Sequence, residues 1–403
     1  MNPRLKVFLA TVTAFSSILL TCCSSKLPDE TLPAATTTEV TETSETVLET
    51  EETAAETEET EETEETFGPL STAQVTERPV DVNGQLSVSG TQIVNESGEA
   101  VQLKGMSSYG IQSIFQFFND DVTDTLVQDW GCSVIRLAMT TRGNDDGYTY
   151  NPDKYFETVC GYADTLIEHG VYVIIDWHIL YDGDPTEYET EAIDFFSRIS
   201  AIYGDCPNVI YEICNEPNGM TVADETQAVD WDNVIKPYAE NVIAAIREND
   251  PDNIIIVGTP NWSQDVDAAS QNPIDGDNIM YALHFYAGSH GQELRDKAHT
   301  ALDNGLPIFV TEWGTSADSG AGGVFYDETY EWMDFLDSNS ISWCNWSIGG
   351  SNTESSNALK LYSQKFTVEQ KIAGHWPDEM LSDSGLFVRS LILGQEFTIP
   401  SED

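Results

Sequence analysis

VYVIIDWH, residues 171–178, decides the architecture. Its apolar residues run almost without a break. A strand apolar on both faces is covered on both sides, as strands of parallel sheets are. Seven similar runs accompany it: VQLKGMSS (101–108), SVIRLAMT (133–140), VIYEICNE (209–216), IIIVGTP (254–260), IMYALHFY (279–286), PIFVTEW (307–313) and SWCNWSI (342–348). Amphipathic stretches such as Tyr155–His169 and Val234–Asn249 separate them, each long enough for a crossover helix. Eight βα units within roughly 300 residues predict an α/β fold, a (β/α)8 TIM barrel. A doubly wound open sheet is the alternative, but no G-x-G-x-x-G follows the first run.

Outward from the barrel, LSVSG…GEAVQLKG (about 86–105) predicts a hairpin lead-in, and SDSGLFVRSLILG (382–394) a closing helix. Residues 397–403 read as a tail. In residues 1–26, Arg4 and Lys6 precede an apolar run from Val7 to Leu20, the pattern of an export signal. That run is too short for a bilayer, which needs about 20 residues. Cys22 and Cys23 follow it and resemble a bacterial lipoprotein processing site, although the residue before either Cys is not Gly, Ala or Ser. Residues 27–77 hold sixteen acids and no base in Thr-Glu repeats. A segment with so little apolar surface is expected to be a disordered, self-repelling linker. The catalytic barrel is therefore expected over 78–396.

The 403 residues carry 69 acids against 17 bases, a formal charge of -52. From Arg78 onward 53 acids and 14 bases remain, so the barrel itself is acidic at -39. Such a balance excludes nucleic acid as a partner, because phosphates need Lys and Arg to neutralise them. Cys132, Cys160, Cys206, Cys214 and Cys344 are an odd number, and several lie inside apolar runs, so free buried thiols are expected. No CxxC, HExxH, G-x-S-x-G or P-loop pattern is present.

The ends of the runs are polar. Arg136 lies within strand 2, His178 closes strand 3, and Asn215 with Glu216 closes strand 4. His284 and Tyr286 close strand 6, Glu312 closes strand 7, and Trp346 lies near the end of strand 8. In a TIM barrel all C-terminal strand ends meet on one face, where active sites sit. Polar groups there are costly unless paired or used. Glu216 and Glu312 are predicted to face each other across the barrel mouth. Paired carboxylates flanking one bond are what glycoside hydrolysis requires, one protonated to serve the leaving oxygen and one ionised. Arg136 and Tyr286 are placed to serve Glu312, His284 to serve Glu216 or substrate, and Asn215 a sugar hydroxyl. Spacing alone does not choose the acid from the nucleophile.

Together, VIIDWH, VIYEICNEPNG, NWSQDVD, MYALHFYAG, IFVTEWGTS and SWCNWSI resemble glycoside hydrolase family 5, closest to its bacterial endo-β-1,4-glucanase branch, over about residues 80–395. The resemblance implies a retaining mechanism with Glu216 as acid/base and Glu312 as nucleophile. It implies substrate-binding roles for Arg136, His178, Asn215, His284 and Tyr286. It makes Trp346 the platform under the sugar at the cleaved bond and Trp262 a stacking surface on the leaving-group side. Trp177, Trp313 and Trp343 are expected in the packing. Four positions depart from the pattern. Tyr109, Ser113 and Thr140 stand where His, Trp and Tyr are usual, and 347–359 lacks a Lys; Phe115 or Phe117 is the candidate replacement platform.

The expectation is an exported, surface-associated endo-β-1,4-glucanase, a monomer acting on β-glucan and needing no cofactor or metal. Alternatives are β-mannan, mixed-linkage glucan or xyloglucan as substrate, a barrel that binds carbohydrate without cleaving it, or a structural surface protein.

Overall fold

The computed structural model describes residues 77–113, 117–142, 146–220, 229–350, 354–361 and 363–400. The expected export signal, both lipidation candidates, all of the acidic linker but Glu77, and Phe115 lie outside these residues.

Eight parallel strands close into a barrel: β1 Lys104–Ser107, β2 Val134–Thr140, β3 Tyr172–His178, β4 Val209–Glu212, β5 Ile255–Val257, β6 Ile279–Tyr286, β7 Ile308–Gly314 and β8 Trp343–Asn345, with β8 pairing back onto β1. The connections carry α1 Asp120–Asp124, α2 Pro152–Glu168, α3 Glu189–Tyr203, α4 Lys236–Arg247, α5 Val266–Ser270, α6 Gln292–Asp303 and α7 Tyr326–Ser338; α8 Asp383–Leu393 follows β8. Every residue of β3 and of β7 is buried, as two-sided coverage requires. Local signals set the helix ends. Asn151 caps α2 by accepting from the Lys154 amide, and Pro152 opens it where no N–H is needed. Among the described residues, no helix is long and apolar enough to cross a membrane.

Strands β4, β5 and β8 are shorter than their apolar runs. β4 stops at Glu212, so Asn215 and Glu216 lie in the loop above it. β5 stops before Gly258, whose Cβ, if it had one, would lie 2.1 Å from the Cys214 carbonyl oxygen. Glycine permits this close approach, which brings the chain after β5 against the loop that carries Glu216.

Alternation along the strands builds the barrel interior in layers. Val134, Ile174, Ile210, Ala282 and Phe309 belong to a lower apolar layer with Tyr172, Ile256, Met280 and Cys344. The hairpin Ser87–Ser89/Gln92–Val94 adds Ile93 to this layer, and Leu86 and Leu103 flank it. Two residues further along the same strands stand Arg136, Asp176, Glu212, His284 and Thr311, all buried. The layer above the apolar plug is thus polar.

One irregularity sets the site. Between β6 and β7, Ala282 pairs with Phe309 but His284 pairs with Glu312, and the β8 side of β7 shows the same shift. β7 therefore carries one extra residue at Val310–Thr311, a β-bulge. Strict alternation would turn Glu312 outward. With the bulge, both Thr311 and Glu312 reach the interior network, while Val310 and Trp313 pack in the outer layer against the helices.

All five described cysteines are free. Cys132, Cys214 and Cys344 are buried, whereas Cys160, within α2, and Cys206, just after α3, are only half-buried. Trp177, Trp313 and Trp343 are fully buried. Phe117 is also core, stacked on Trp376, so it forms no sugar platform.

Candidate active site

Arg136 is the hub beneath the barrel mouth, and it is 0 % exposed. Its Nε and Nη2 donate to the two oxygens of Glu212 at 2.7 and 3.2 Å. Its Nη2 also reaches Asn215 Oδ1 at 2.6 Å and Asp176 Oδ2 at 2.8 Å. Its Nη1 donates to Glu312 Oε2 at 3.1 Å and Ser107 Oγ at 3.3 Å. Burial alone would lower its pKa, but Asp176, Glu212 and Glu312 together hold it well above the ordinary arginine value. An unpaired buried guanidinium would be prohibitively costly; here three acidic side chains share it, and burial pushes one of them, Asp176, up to about 8 against the pull of Arg136.

The two rim carboxylates have opposite surroundings. Glu312 accepts from Arg136 on one oxygen and from the Tyr286 hydroxyl on the other, at 2.7 Å. Gly314 leaves room for that phenol, since a Cβ there would lie 2.4 Å from the Tyr286 ring. Glu216 instead has His284 Nδ1 at 2.9 Å from its Oε1. Burial pushes Glu216 up to about 7, against the pull of His178 and Arg136. Burial also pushes His284 down to about 4, so its ring is neutral near pH 7.

His178 hydrogen-bonds Asp176 Oδ2 through Nδ1 at 2.8 Å, and its ring stacks parallel to Trp346 at 5.3 Å. Burial pushes His178 down. Tyr109 packs on the same Trp346 at 5.5 Å. Asn215 lies below the cleft and donates from Nδ2 to the Ile179 carbonyl at 2.9 Å. Trp262 is 41 % exposed. It sits in three consecutive left-handed residues, Asn261, Trp262 and Ser263 with φ of 59°, 58° and 56°. Each costs about 1–2 kcal/mol in a non-glycine residue. Ser263 Oγ donates to the Asn215 carbonyl at 2.6 Å, and Trp262 N to the Pro217 carbonyl at 3.2 Å. These bonds hold the turn against the segment bearing Glu216.

One cleft of about 710 Å³ is lined by His178, Glu216, Trp262, His284, Tyr286, Glu312 and Trp346. Arg136 and Asn215 lie directly beneath it. Sequence reasoning missed Asp176, Glu212, Thr311 and Glu354. The first three share the inward register of residues it did find, Asp176 standing two before His178, but they are embedded in apolar runs. Glu354 lines the cleft from the loop after β8, and burial, with Glu312 nearby, pushes it up to about 7.

Glu216, His284 and Glu312 bring possible ligand atoms within 4.8 Å of one another. Both His284 nitrogens are already engaged, with Glu216 and with Thr311 Oγ1. Both Glu312 oxygens accept hydrogen bonds. The trio is a hydrogen-bonded acid pair with its histidine, with no free imidazole lone pair to offer a cation. What the arrangement can do is give one proton and present one carboxylate across a gap the width of a single bond's substituents.

A family model described as Cellulase (glycosyl hydrolase family 5) matches residues 94–352. The endoglucanase of Clostridium saccharobutylicum is 49% identical over 315 residues, 78% of this chain and 66% of that protein. Endoglucanase A of Evansella cellulosilytica is 51% identical over 306 residues, 76% of this chain and 59% of that protein. The chain thus spans less than two thirds of the length of these two relatives. Among solved structures, a variant of the Thermobifida fusca endoglucanase Cel5A catalytic domain, in complex with cellotetraose, is 36% identical with a TM-score of 0.69, covering 79% of this chain and all of that one.

Proposed function

The chain belongs to glycoside hydrolase family 5, and from that premise we propose that it is a retaining endo-β-1,4-glucanase acting on cellulose and related β-glucans. Glu312 is the nucleophile and Glu216 the acid/base. Glu312 attacks the anomeric carbon as the glycosidic C–O bond breaks; its electron pair stays on the leaving oxygen, which takes the Glu216 proton. Water then gives a proton to Glu216 and attacks the glycosyl-enzyme, freeing Glu312 and restoring the configuration. Arg136 and Tyr286 orient the Glu312 carboxylate, Arg136 being itself fixed by Ser107, Asp176, Glu212 and Asn215. Asn215, at the cleft floor, keeps its second Nδ2 hydrogen for the sugar 2-hydroxyl, Trp346 lies under the sugar at the cleaved bond, and Trp262 stacks on the leaving side, where pyranose C–H surface packs on the aromatic face. His178 and His284 line the same pocket.

The observation that carries this reading is the asymmetry of two carboxyls whose nearest oxygens lie within 4.8 Å. Retaining enzymes hold their carboxyls about 5–5.5 Å apart, whereas inverting ones need roughly 6.5–9.5 Å to admit a water. The cellotetraose complex of the 36% identical Cel5A domain supports a β-glucan substrate. The export signal over 1–26, the acidic linker over 27–77, a lipid on Cys22 or Cys23 and a monomeric state belong to the same proposal: a bacterial enzyme working outside the cell. A panel of soluble cellulose derivative, mixed-linkage glucan, xyloglucan and mannan at equal enzyme concentration tests the substrate. Fastest cleavage of the β-1,4-glucan is expected, and preferred cleavage of mannan would overturn it.

A further inference from the structure

Beneath the cleft a chain of buried side chains runs unbroken between the two rim carboxylates. Glu216 Oε1 meets His284 Nδ1 at 2.9 Å, and His284 Nε2 meets Thr311 Oγ1 at 2.9 Å. Thr311 Oγ1 meets Glu212 Oε1 at 2.7 Å, and Glu212 meets Arg136, which reaches Glu312. Thr311 enters this chain because the β7 bulge turns it inward together with Glu312.

Counting hydrogens along the chain fixes its direction. Burial pushes Glu212 up and Arg136 pulls it back; a guanidinium N–H on each oxygen is the bidentate geometry of an ionised carboxylate, so Glu212 only accepts. The single Thr311 hydroxyl hydrogen therefore points to Glu212. A lone pair of Thr311 faces His284, so Nε2 must carry the ring hydrogen. The neutral ring then presents a bare Nδ1 to Glu216. Two acceptors do not share a 2.9 Å contact, so the hydrogen between them belongs to Glu216.

We propose that Thr311 is a positioning residue that locks His284 as the Nε2–H tautomer and thereby holds Glu216 in the proton-bearing form that the first step consumes. This rests on the reading of Glu216 as the acid. The same bare nitrogen opposes the Glu216 carboxylate left after that step, which favours return of a proton from the attacking water. Other groups act on Glu216 as well. His178 and Arg136 favour its charged form, while Asp176 and Glu212 oppose it; Glu312 and the Tyr286 phenol also face it. His284 is faced in addition by Glu312, Arg136, His178 and Glu212, whose Oε1 is 3.9 Å from Nε2.

Thr311→Val keeps the shape and removes the hydroxyl. His284 is then free to carry its hydrogen on Nδ1 and donate to ionised Glu216. The alkaline limb of kcat/KM against pH should move to lower pH by about one unit, the size of one hydrogen bond gained by the charged form. Thr311→Ser should leave the limb in place. A limb unmoved in the Val variant, with activity lowered evenly at all pH values, would mean a merely structural threonine and would overturn the proposal. Nitrogen-15 NMR of the histidine rings in the resting wild-type protein at neutral pH gives a readout that needs neither turnover nor a folded variant. The His284 hydrogen is expected on Nε2, and its presence on Nδ1 would refute the tautomer lock. If no β-glucan is cleaved, the functional reading fails while the NMR result still decides the network.

Discussion

Two layers of one barrel interior, two residues apart along the same strands, follow opposite rules. The lower layer, with Val134, Ile174, Ile210, Ala282 and Phe309, is closed by the hairpin and contains no titratable group except the Cys344 thiol and the Tyr172 phenol. The upper layer, with Arg136, Asp176, Glu212, His284 and Thr311, contains four titratable side chains in as many strands. Apolar burial stabilises the fold at roughly 25 cal/mol per Å². Buried ion pairs contribute little net stability and become strongly destabilising when one partner is removed. The lower layer therefore holds the barrel closed, and the upper layer holds a charge pattern that water would otherwise relax. The comparison separates what stabilises from what reacts.

The largest effect expected from breaking it is in the upper layer's output. Glu312→Gln should lower kcat by roughly 10⁴-fold or more while the thermal melt stays near wild type, because Arg136 keeps Asp176 and Glu212 and an amide oxygen can still accept from it. Near wild-type turnover would end the assignment of the nucleophile. Glu216→Gln should cost about 10²–10⁴-fold on natural substrates, and much less on an aryl glucoside whose leaving group needs no proton, measured side by side.

In the lower layer the sign reverses. Phe309→Ala should cost about 3–5 kcal/mol of stability in denaturant titration, yet leave kcat at 25 °C within a few fold while the barrel remains folded. Equal loss of activity and stability would erase the distinction between the layers.

A smaller effect concerns pH. Glu216 is pushed up to about 7 in the folded protein. Its protonated form is the acid, so activity should fall as pH rises through about 7. The same raised value contributes stability that is complete below the ordinary glutamate pKa and is lost as pH rises through about 7. Glu216→Gln should flatten the decline of thermal stability between about pH 5 and pH 8. Wild-type and Glu216→Gln melts with the same slope over that interval would contradict the shift. The smallest effect is expected at Trp262. Trp262→Ala should raise KM for long chains by about 0.5–1.5 kcal/mol equivalent, with the melt little changed, because the ring is exposed and its proposed partner is the substrate.

The barrel was legible because eight apolar runs kept parallel-strand character, and because VIIDWH and IFVTEW each carry their polar residues at the C-terminal end. Strand ends were less legible. The VIYEICNE run continues past β4 because Ile213 and Cys214 stay in the core after the strand ends, Ile213 still donating to Ile256 of β5 and accepting from Tyr238 of α4. The bulge was invisible to any periodic reading, yet it is what brings Thr311 and Glu312 inside together. Asp176 and Glu212 lay in plain view but looked like interruptions of apolar runs. Arg136, with His178 on Asp176 and Thr311 on Glu212, explains why two buried acids are tolerated there. Glu354 stands in a stretch of sequence with no periodic signal.

The account stands most directly on which carboxylate bonds to sugar. A 2-fluoro cellobioside with an activated leaving group slows release of the glycosyl-enzyme, and mass spectrometry of the digested protein then reads the labelled residue. The account predicts one fluorocellobiosyl group per chain, carried on Glu312 within the β7 peptide. A label on Glu216, or complete turnover with inverted product and no label, would contradict it.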